Sequence, residues 1–122
     1  MPRDLAIAVI DDDESFRVAL VESLSSLGYG VDGYPSAEEY VQTAGGKSFD
    51  CVVTDIHMPG MSGLDLMKRL AAQGSTTPLI LITARSDANL EAKAVASGAA
   101  SLLRKPFDIN DLVKCIEGAV KP

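Results

Sequence analysis

The chain contains 122 residues, of which 47% are hydrophobic and 23% are charged, and its formal net charge is −6. This length predicts one domain over residues 1–122, large enough to bury a hydrophobic core without disulfide or metal support. The acidic balance, with no local cluster of Lys and Arg, argues against a direct nucleic-acid partner. No apolar stretch reaches the roughly 20 residues of a membrane span, and no signal peptide is recognisable. We therefore expect a cytoplasmic protein without a membrane partner.

The two cysteines, Cys51 and Cys115, show neither zinc-like nor CxxC spacing. One falls in a predicted strand and the other in a predicted helix. We expect both to be small buried apolar residues in a reducing compartment.

The first half of the chain alternates short apolar runs with stretches of helical periodicity. Residues 5–10 form a continuous apolar run, which is typical of a central parallel strand covered on both faces. Four acids follow, of which Asp13 and Glu14 are predicted to cap the first helix and occupy its first turn. The predicted elements are a strand over 5–10, a helix over 16–27 ended by Gly28, a strand over 30–34, a helix over 37–44 capped by Ser36 and ended by Gly45-Gly46, and a strand over 49–54 followed by Asp55.

The second half continues this alternation. A loop containing Pro59 and Gly60 follows the third strand, because neither a helix nor a strand continues easily through that pair. The predicted elements are a helix capped by Ser62 with its apolar stripe over 64–71, a strand over 79–82 ending at Thr83, a helix over 87–97 closed by Gly98, a strand over 99–103, and a helix over 108–120.

Strands that alternate with helices in this way predict an α/β fold, with a five-stranded parallel sheet covered by five helices on its two faces. Right-handed crossovers would join the strands. Five units rather than eight favour an open, doubly wound sheet over a closed barrel. The alternation leaves the order of the strands in the sheet open.

Carboxylates stand at the carboxyl ends of two predicted strands. Asp11 and Asp12 follow the first strand, and Asp55 follows the third. In an open parallel sheet these ends meet at one edge, where ligands bind. Three carboxylates gathered there raise each other's pKa unless a cation lies among them. The pattern therefore predicts a site for Mg²⁺, or Mn²⁺ in its place, since a hard ion prefers oxygen ligands.

A hydroxyl and an ammonium group are predicted at the same edge, because Thr83 follows the fourth strand and Lys105 the fifth. Together with a metal ion they would bind the oxygens of a phosphoryl group. Asp55 would then be the nucleophile and form an acyl phosphate. Taken singly, an acid at a strand end is usually turn chemistry, and a Thr or Lys there is an ordinary strand residue or a solvated charge. The joint pattern favours the phosphoryl site.

The sequence resembles the receiver domain of two-component response regulators, and the resemblance extends from Leu5 to Val120. Each matching segment is short, but their order and their positions at strand ends make the set specific. The resemblance implies a flavodoxin-like sheet with the strand order 2-1-3-4-5. The matching segments are Val9-Ile10-Asp11-Asp12-Asp13, Thr54-Asp55-Ile56-His57-Met58-Pro59-Gly60-Met61-Ser62-Gly63, Ile82-Thr83-Ala84 and Lys105-Pro106-Phe107.

For the domain as a whole, the resemblance implies a signalling module and not a turnover enzyme. Asp55 would accept a phosphoryl group from a sensor histidine kinase or a phosphotransfer protein and become an aspartyl phosphate. The domain would catalyse only its own phosphorylation and dephosphorylation. The modification would shift its conformation and control an output domain or partner protein through the face built from the fourth helix, fifth strand and fifth helix, with a phosphorylation-dependent dimer as one outcome.

The resemblance also implies a role for each residue of the site. Thr83 and Lys105 would bind the phosphoryl oxygens, and the peptide bond between Lys105 and Pro106 would be cis. The metal ligands would be Asp12 and Asp55 directly, Asp11 through water, and the backbone carbonyl of His57.

Two positions qualify this picture. Receivers typically have Tyr or Phe three residues before the lysine, where the ring fills space that the threonine vacates, but this chain has Leu102. A leucine has neither ring nor hydroxyl, so the link between Thr83 and the output face is expected to be weaker or to work differently.

His57 is the only histidine, and we expect its side chain to face solvent while its carbonyl contributes to the site.

Two other functions fit parts of the pattern. An Asp-nucleophile phosphatase or phosphotransferase typically has a second acid two residues after the nucleophile, where this chain has His57. A flavodoxin-type electron carrier would need Ser, Thr or Gly amides in the first turn, where four acids would repel a flavin phosphate. The chain ends just after the predicted fifth helix, which leaves open a stand-alone receiver or a domain of a longer regulator.

Overall fold

The computed structural model describes residues 5–43, 47–85 and 88–120. Strands and helices alternate throughout these ranges, as predicted. The elements are β1 (Ala6–Ile10), α1 (Glu14–Ser26), β2 (Gly30–Tyr34), α2 (Ala37–Thr43), β3 (Cys51–Asp55), α3 (Gly63–Ala72), β4 (Leu79–Thr83), α4 (Ala88–Ala96), β5 (Ser101–Arg104) and α5 (Ile109–Ala119). Residues 44–46, predicted to finish the second helix, and Asp87, predicted to begin the fourth, lie outside the described residues.

The five strands form one sheet in the order β2-β1-β3-β4-β5. All four pairings are parallel, so every strand delivers its carboxyl end to the same edge. The register pairs Ile10 of β1 with Thr54 of β3, and Asp55 with Ile82 of β4. The flavodoxin-like strand order is therefore confirmed, and the predicted site residues share one edge.

Helices cover both faces of the sheet, because alternate residues of the buried strands are apolar on each side. Helices α2, α3 and α4 pack on one face, and α1 and α5 pack on the other. The first core includes Ala8, Ala37, Val52, Leu66, Leu81 and Leu90. The second includes Val9, Leu24, Val53, Ile80, Leu112 and Ile116. Among the described helices, none is both long enough and apolar enough to cross a membrane.

The predicted N-terminal caps are confirmed for the first three helices. Asp13 accepts a hydrogen bond from the N–H three residues later and caps α1. Ser36 Oγ accepts one from the Glu39 N–H at 3.0 Å. Ser62 and Asp65 form a reciprocal capping box at the start of α3. These caps satisfy N–H groups that have no partner inside their helices, and so fix where α1 and α3 begin beside the sheet edge.

The strand bounds differ from the prediction by one or two residues. β3 begins at Cys51 and not at residue 49, and Asp55 stands at its end, as expected. β5 begins at Ser101 and not at residue 99, because Ala99 donates its N–H to the Ala94 carbonyl at 3.1 Å and so belongs to the end of α4. Gly98 supports this helix end with φ +97°, a left-handed conformation that glycine adopts without strain.

The cysteines are largely as predicted. Cys51 is fully buried in β3, and burial raises the pKa of its thiol to about 12. Cys115 in α5 is only half-buried, and both thiols are free. Cys51 therefore behaves as a small apolar core residue.

The junction between β3 and α3 is a close approach of two backbones. Gly63 opens α3 directly behind Asp55 and donates its N–H to the Ile56 carbonyl at 3.1 Å. A Cβ atom at Gly63 would lie 2.5 Å from the backbone oxygen of Asp55. Glycine at this position therefore allows the helix to begin against the strand end that holds the acid.

We expect Gly63→Ala to lower the free energy of unfolding by about 1–3 kcal/mol, because the added methyl group forces the backbone behind Asp55 to move. Gly118 of α5 is the matched control, since a Cβ there would meet nothing within 4 Å. Gly118→Ala should leave stability unchanged or raise it by up to about 1 kcal/mol. Urea unfolding followed by circular dichroism measures both. Wild-type stability of Gly63→Ala would contradict the close approach.

Candidate functional site

Three carboxylates meet at the carboxyl edge of the sheet. Asp11 and Asp12 follow β1 and Asp55 ends β3, and one ligand oxygen from each lies within 4.8 Å of the others. Asp11 and Asp55 are buried, whereas Asp12 is exposed. The strand order accounts for this meeting, because β1 and β3 are neighbours in the sheet.

Lys105 brings a positive charge to the carboxylates. Its Nζ donates to Asp11 Oδ2 at 3.0 Å and lies 3.8 Å from Asp55 Oδ2. Its backbone N–H donates to the Thr83 carbonyl at 2.8 Å, which ties the segment after β5 to the end of β4. The peptide bond between Lys105 and Pro106 is cis, as predicted.

Asp11 is held from several directions. Its backbone N–H donates to the Tyr34 carbonyl at 3.1 Å, and its Oδ1 accepts from the Asp13 N–H at 2.9 Å. The guanidinium of Arg17, one turn into α1, donates to the Asp11 carbonyl at 2.8 Å. The Asp11 carboxylate is therefore fixed by the turn that follows β1, with Oδ2 left to meet Lys105.

Asp55 is the acid whose ionisation the site affects most clearly. Its pKa is raised, first by burial, which removes water from the charged form, and then by the negative charge of Asp11. Lys105 and the His57 N–H, which lies 3.4 Å from Asp55 Oδ1, act in the opposite direction. One ammonium thus leaves an excess of negative charge among three carboxylates. Their all-oxygen donor set fits a hard divalent cation such as Mg²⁺.

Thr83 ends β4, the strand next to β3, and is buried. Its Oγ1 accepts a hydrogen bond from the Arg85 N–H at 3.0 Å. A hydroxyl that accepts one hydrogen bond retains its proton for donation to another group. In the sheet, Thr83 ends the strand between β3, which ends in Asp55, and β5, which precedes Lys105. Its hydroxyl donates to none of the described residues, so it is available to a ligand.

The expectation that the His57 side chain faces solvent is wrong. The residue is half-buried, and its Nε2 atom is buried without a hydrogen-bond partner among the described residues. The neighbouring residues Ile56 and Met58 are both buried. The loop therefore packs against the protein, and this packing also buries part of the imidazole. The predicted role of the His57 carbonyl as a metal ligand stays a prediction.

Sequence reasoning missed Glu38 on α2, which contacts the loop after Asp55. Its Oε2 accepts from the Met61 N–H at 2.8 Å, and this hydrogen bond lowers the pKa of the Glu38 carboxyl. Gly60 has φ +77°, and a Cβ atom there would collide with the Glu38 carboxylate. In the sequence Glu38 is one of two adjacent acids in a first helical turn, so nothing marked it as a contact with a distant loop.

We expect Asp55→Asn to raise the melting temperature by several degrees at neutral pH, without divalent ions, because it removes a buried charge. A carboxyl whose pKa is raised by folding costs stability above that pKa, and this cost disappears below its unfolded-state pKa of about 4. The gain should therefore shrink as the pH falls and vanish near about pH 4. Calorimetry across this range measures it, with Asp111→Asn, which changes an exposed acid of α5, as control. A gain independent of pH would contradict the raised pKa.

Comparison with known proteins identifies close relatives of this chain. The transcriptional regulatory protein FixJ of Bradyrhizobium diazoefficiens is 40% identical over 115 residues, which are 94% of this chain and 56% of that protein. The DNA-binding transcriptional regulator NtrC of Escherichia coli is 36% identical over 112 residues, or 92% of this chain and 24% of that protein. The chain therefore spans about half the length of FixJ and about a quarter of NtrC.

The fold agrees with these sequence matches. The crystal structure of FixJ-N superposes with a TM-score of 0.90 at 31% identity, and the match covers 98% of this chain and 95% of that one. The family model described as response regulator receiver domain matches residues 7–117. These matches exclude the flavodoxin-type electron carrier as the family of this chain. The chain belongs to the response regulator receiver domain family.

Proposed function

We propose that this receiver accepts a phosphoryl group on Asp55, from a sensor histidine kinase or a phosphotransfer protein, in a reaction that depends on Mg²⁺. The supporting observation is the cluster of Asp11, Asp12 and Asp55, whose ligand oxygens lie within 4.8 Å of one another beside the Lys105 ammonium. A cluster of this charge is costly without a cation. Carboxylates, a divalent ion and a lysine are the parts that phosphoryl transfer uses.

In the proposed reaction an oxygen of the Asp55 carboxylate attacks the phosphorus of a phosphohistidine. The O–P bond forms as the N–P bond breaks, and the leaving imidazole nitrogen takes up a proton from solvent. Dephosphorylation ends the signal: water attacks the phosphorus, inorganic phosphate leaves and the Asp55 carboxylate is regenerated. The domain would thus catalyse only its own phosphorylation and dephosphorylation.

The proposed metal ligands are Asp12 and Asp55 directly, Asp11 through water, and the backbone carbonyl of His57. Every donor in this set is an oxygen, as Mg²⁺ and Mn²⁺ prefer. When bound, the ion would neutralise negative charge on the phosphoryl oxygens. The excess of carboxylates over ammonium groups at this edge supports the assignment.

We assign the remaining phosphoryl oxygens to Lys105 and Thr83. The Nζ of Lys105 lies 3.8 Å from Asp55 Oδ2, which is within reach of a phosphoryl oxygen attached to that carboxylate. The Oγ1 of Thr83 accepts a hydrogen bond from the Arg85 N–H, and its own proton can still be donated to a phosphoryl oxygen. Both residues would then report whether the phosphoryl group is present.

The proposed output surface is the face built from α4, β5 and α5. It includes Val95, a residue that is 76% exposed, in a groove shared with Glu91, Leu102 and Leu103. An output domain, a partner protein or a second phosphorylated copy would bind there. The relatives are regulators of transcription and are longer than this chain, which favours a transcriptional output. Since a histidine kinase uses ATP, the proposal implies the cytoplasm.

We expect wild-type protein incubated with acetyl phosphate and Mg²⁺ to gain the mass of one phosphoryl group, because Asp55 attacks small acyl phosphates as it would attack phosphohistidine. Intact-mass spectrometry measures the gain. It should disappear in Asp55→Asn and when EDTA replaces Mg²⁺. Lys105→Ala should slow it by about 10-fold or more, because one positive charge at the phosphoryl group is lost.

The matched control is Glu14→Gln, which changes an exposed acid of the α1 first turn next to the site. This variant should gain the phosphoryl mass at the wild-type rate. No gain in the wild type, or an undiminished gain in Asp55→Asn, would contradict the proposed function. Sustained turnover of phosphomonoesters through a short-lived aspartyl phosphate would favour the phosphatase alternative, because an Asp-nucleophile phosphatase forms the same intermediate.

We expect phosphorylation to move the amide resonances around Asp55 and Thr83 more than those of β5, because Leu102 has no ring to turn inward. Leu102 is half-buried against the core beneath α3 and α4. Leu102→Phe should enlarge the shifts of β5 amides. Two-dimensional ¹H–¹⁵N NMR with and without acetyl phosphate measures both.

The control for this comparison is Leu103→Phe, because Leu103 packs on the opposite face of the sheet. It should leave the β5 response small. Large β5 shifts in the wild type would show that leucine suffices at this position.

A further inference from the structure

The ammonium group of Lys105 lies between negative charge and an aromatic ring. Asp11 and Asp55 approach it at 3.0 and 3.8 Å, and its Nζ stands 4.0 Å from the ring centroid of Phe16. The face of an aromatic ring carries partial negative charge and attracts a cation at this distance. The Phe16 ring therefore attracts the Lys105 ammonium in addition to the two carboxylates.

Phe16 is itself held in place from two directions. It lies in the first turn of α1, where its N–H donates to the cap residue Asp13 at 3.2 Å. Its ring meets the Phe107 ring edge to face, with centroids 6.0 Å apart and an interplanar angle of 85°. Phe107 follows Lys105 and Pro106 in the segment between β5 and α5. The two rings thus connect the start of α1 to the segment that contains the lysine.

We propose that Phe16 is a positioning residue for Lys105: its ring face holds the ammonium beside Asp55 and lets it move toward a phosphoryl oxygen. This inference rests on the proposed function, since it concerns the same lysine. A ring is suited to this role because it attracts a cation without forming a strong ion pair that would have to break. A carboxylate at this place would compete with the phosphoryl group for the lysine, and an aliphatic side chain would not attract it.

The decisive experiment lowers the electron density of the ring face with little change in the shape of the ring. Phe16 is replaced with mono-, di- and trifluorinated phenylalanine by amber suppression, and the rate of phosphorylation by acetyl phosphate is measured. Fluorine withdraws electron density from the ring face, so the rate should fall at each step, by about threefold to 10-fold over the series. Phe16→Leu should lower the rate of phosphorylation as far as the trifluorinated ring does, and Phe16→Trp should phosphorylate at the wild-type rate. A merely structural ring would show no such trend with fluorination.

Two controls separate the cation–π contact from packing. Phe49→Leu removes a ring from the Tyr34 and Tyr40 cluster, away from the lysine, and should leave the rate unchanged. In a Lys105→Ala background the fluorination series should have no effect, because there is no cation for the ring to attract. Equal rates across the series, or an undiminished trend without Lys105, would overturn the proposal.

A second measurement does not depend on phosphorylation. A ring face 4.0 Å from Nζ should shift the Lys105 ε-proton resonances upfield through its ring current, and Phe16→Leu should abolish this shift. Unshifted ε-protons in the wild type would overturn the position of the lysine over the ring. If the wild type failed to take up a phosphoryl group while these resonances were shifted, the proposed function would fail and the contact between ring and lysine would stand.

Discussion

The site depends on the electrostatic cost of placing two buried carboxylates, Asp11 and Asp55, at one edge of a parallel sheet. The burial of Asp55 together with the charge of Asp11 raises the pKa of Asp55. Lys105 offsets part of that cost through contacts at 3.0 and 3.8 Å. What remains is a cluster of carboxylate oxygens with excess negative charge beside one ammonium group. A divalent cation suits this excess of negative charge, and in the proposed function that cation and Lys105 together would supply the positive charge that a phosphoryl group needs.

Contacts from the surrounding elements hold this arrangement in place. The cap at Asp13 fixes the start of α1, which brings Arg17 to the Asp11 carbonyl and Phe16 to the lysine. On the other side of β3, Gly63 lets α3 begin against the backbone of Asp55, and Glu38 holds the loop between them through Met61. Helices from both faces of the sheet therefore hold the site. A change of charge at Asp55 would therefore act on these contacts before it affects the rest of the molecule.

Much of the fold could be predicted from the sequence, because buried parallel strands read as apolar runs and Asp13, Ser36 and Ser62 mark helix starts. The strand order came from resemblance to a family, since alternation alone does not decide which strands are neighbours. Contacts such as Glu38 with Met61 and Phe16 with Lys105 had no periodic signal, because they join residues far apart in the chain. The burial of His57 Nε2 was missed for a similar reason: a loop residue is exposed or buried according to how the loop packs.

The most direct test of the central role of Asp55 is to locate the modified residue chemically. Protein treated with acetyl phosphate and Mg²⁺ is reduced with borohydride, which converts an aspartyl phosphate to homoserine, and peptides are then sequenced by mass spectrometry. We predict homoserine at position 55 and at no other acid of the cluster. Homoserine at position 11 or 12, or a phosphorylated protein that yields none, would contradict the assignment of Asp55 as the phosphoryl acceptor.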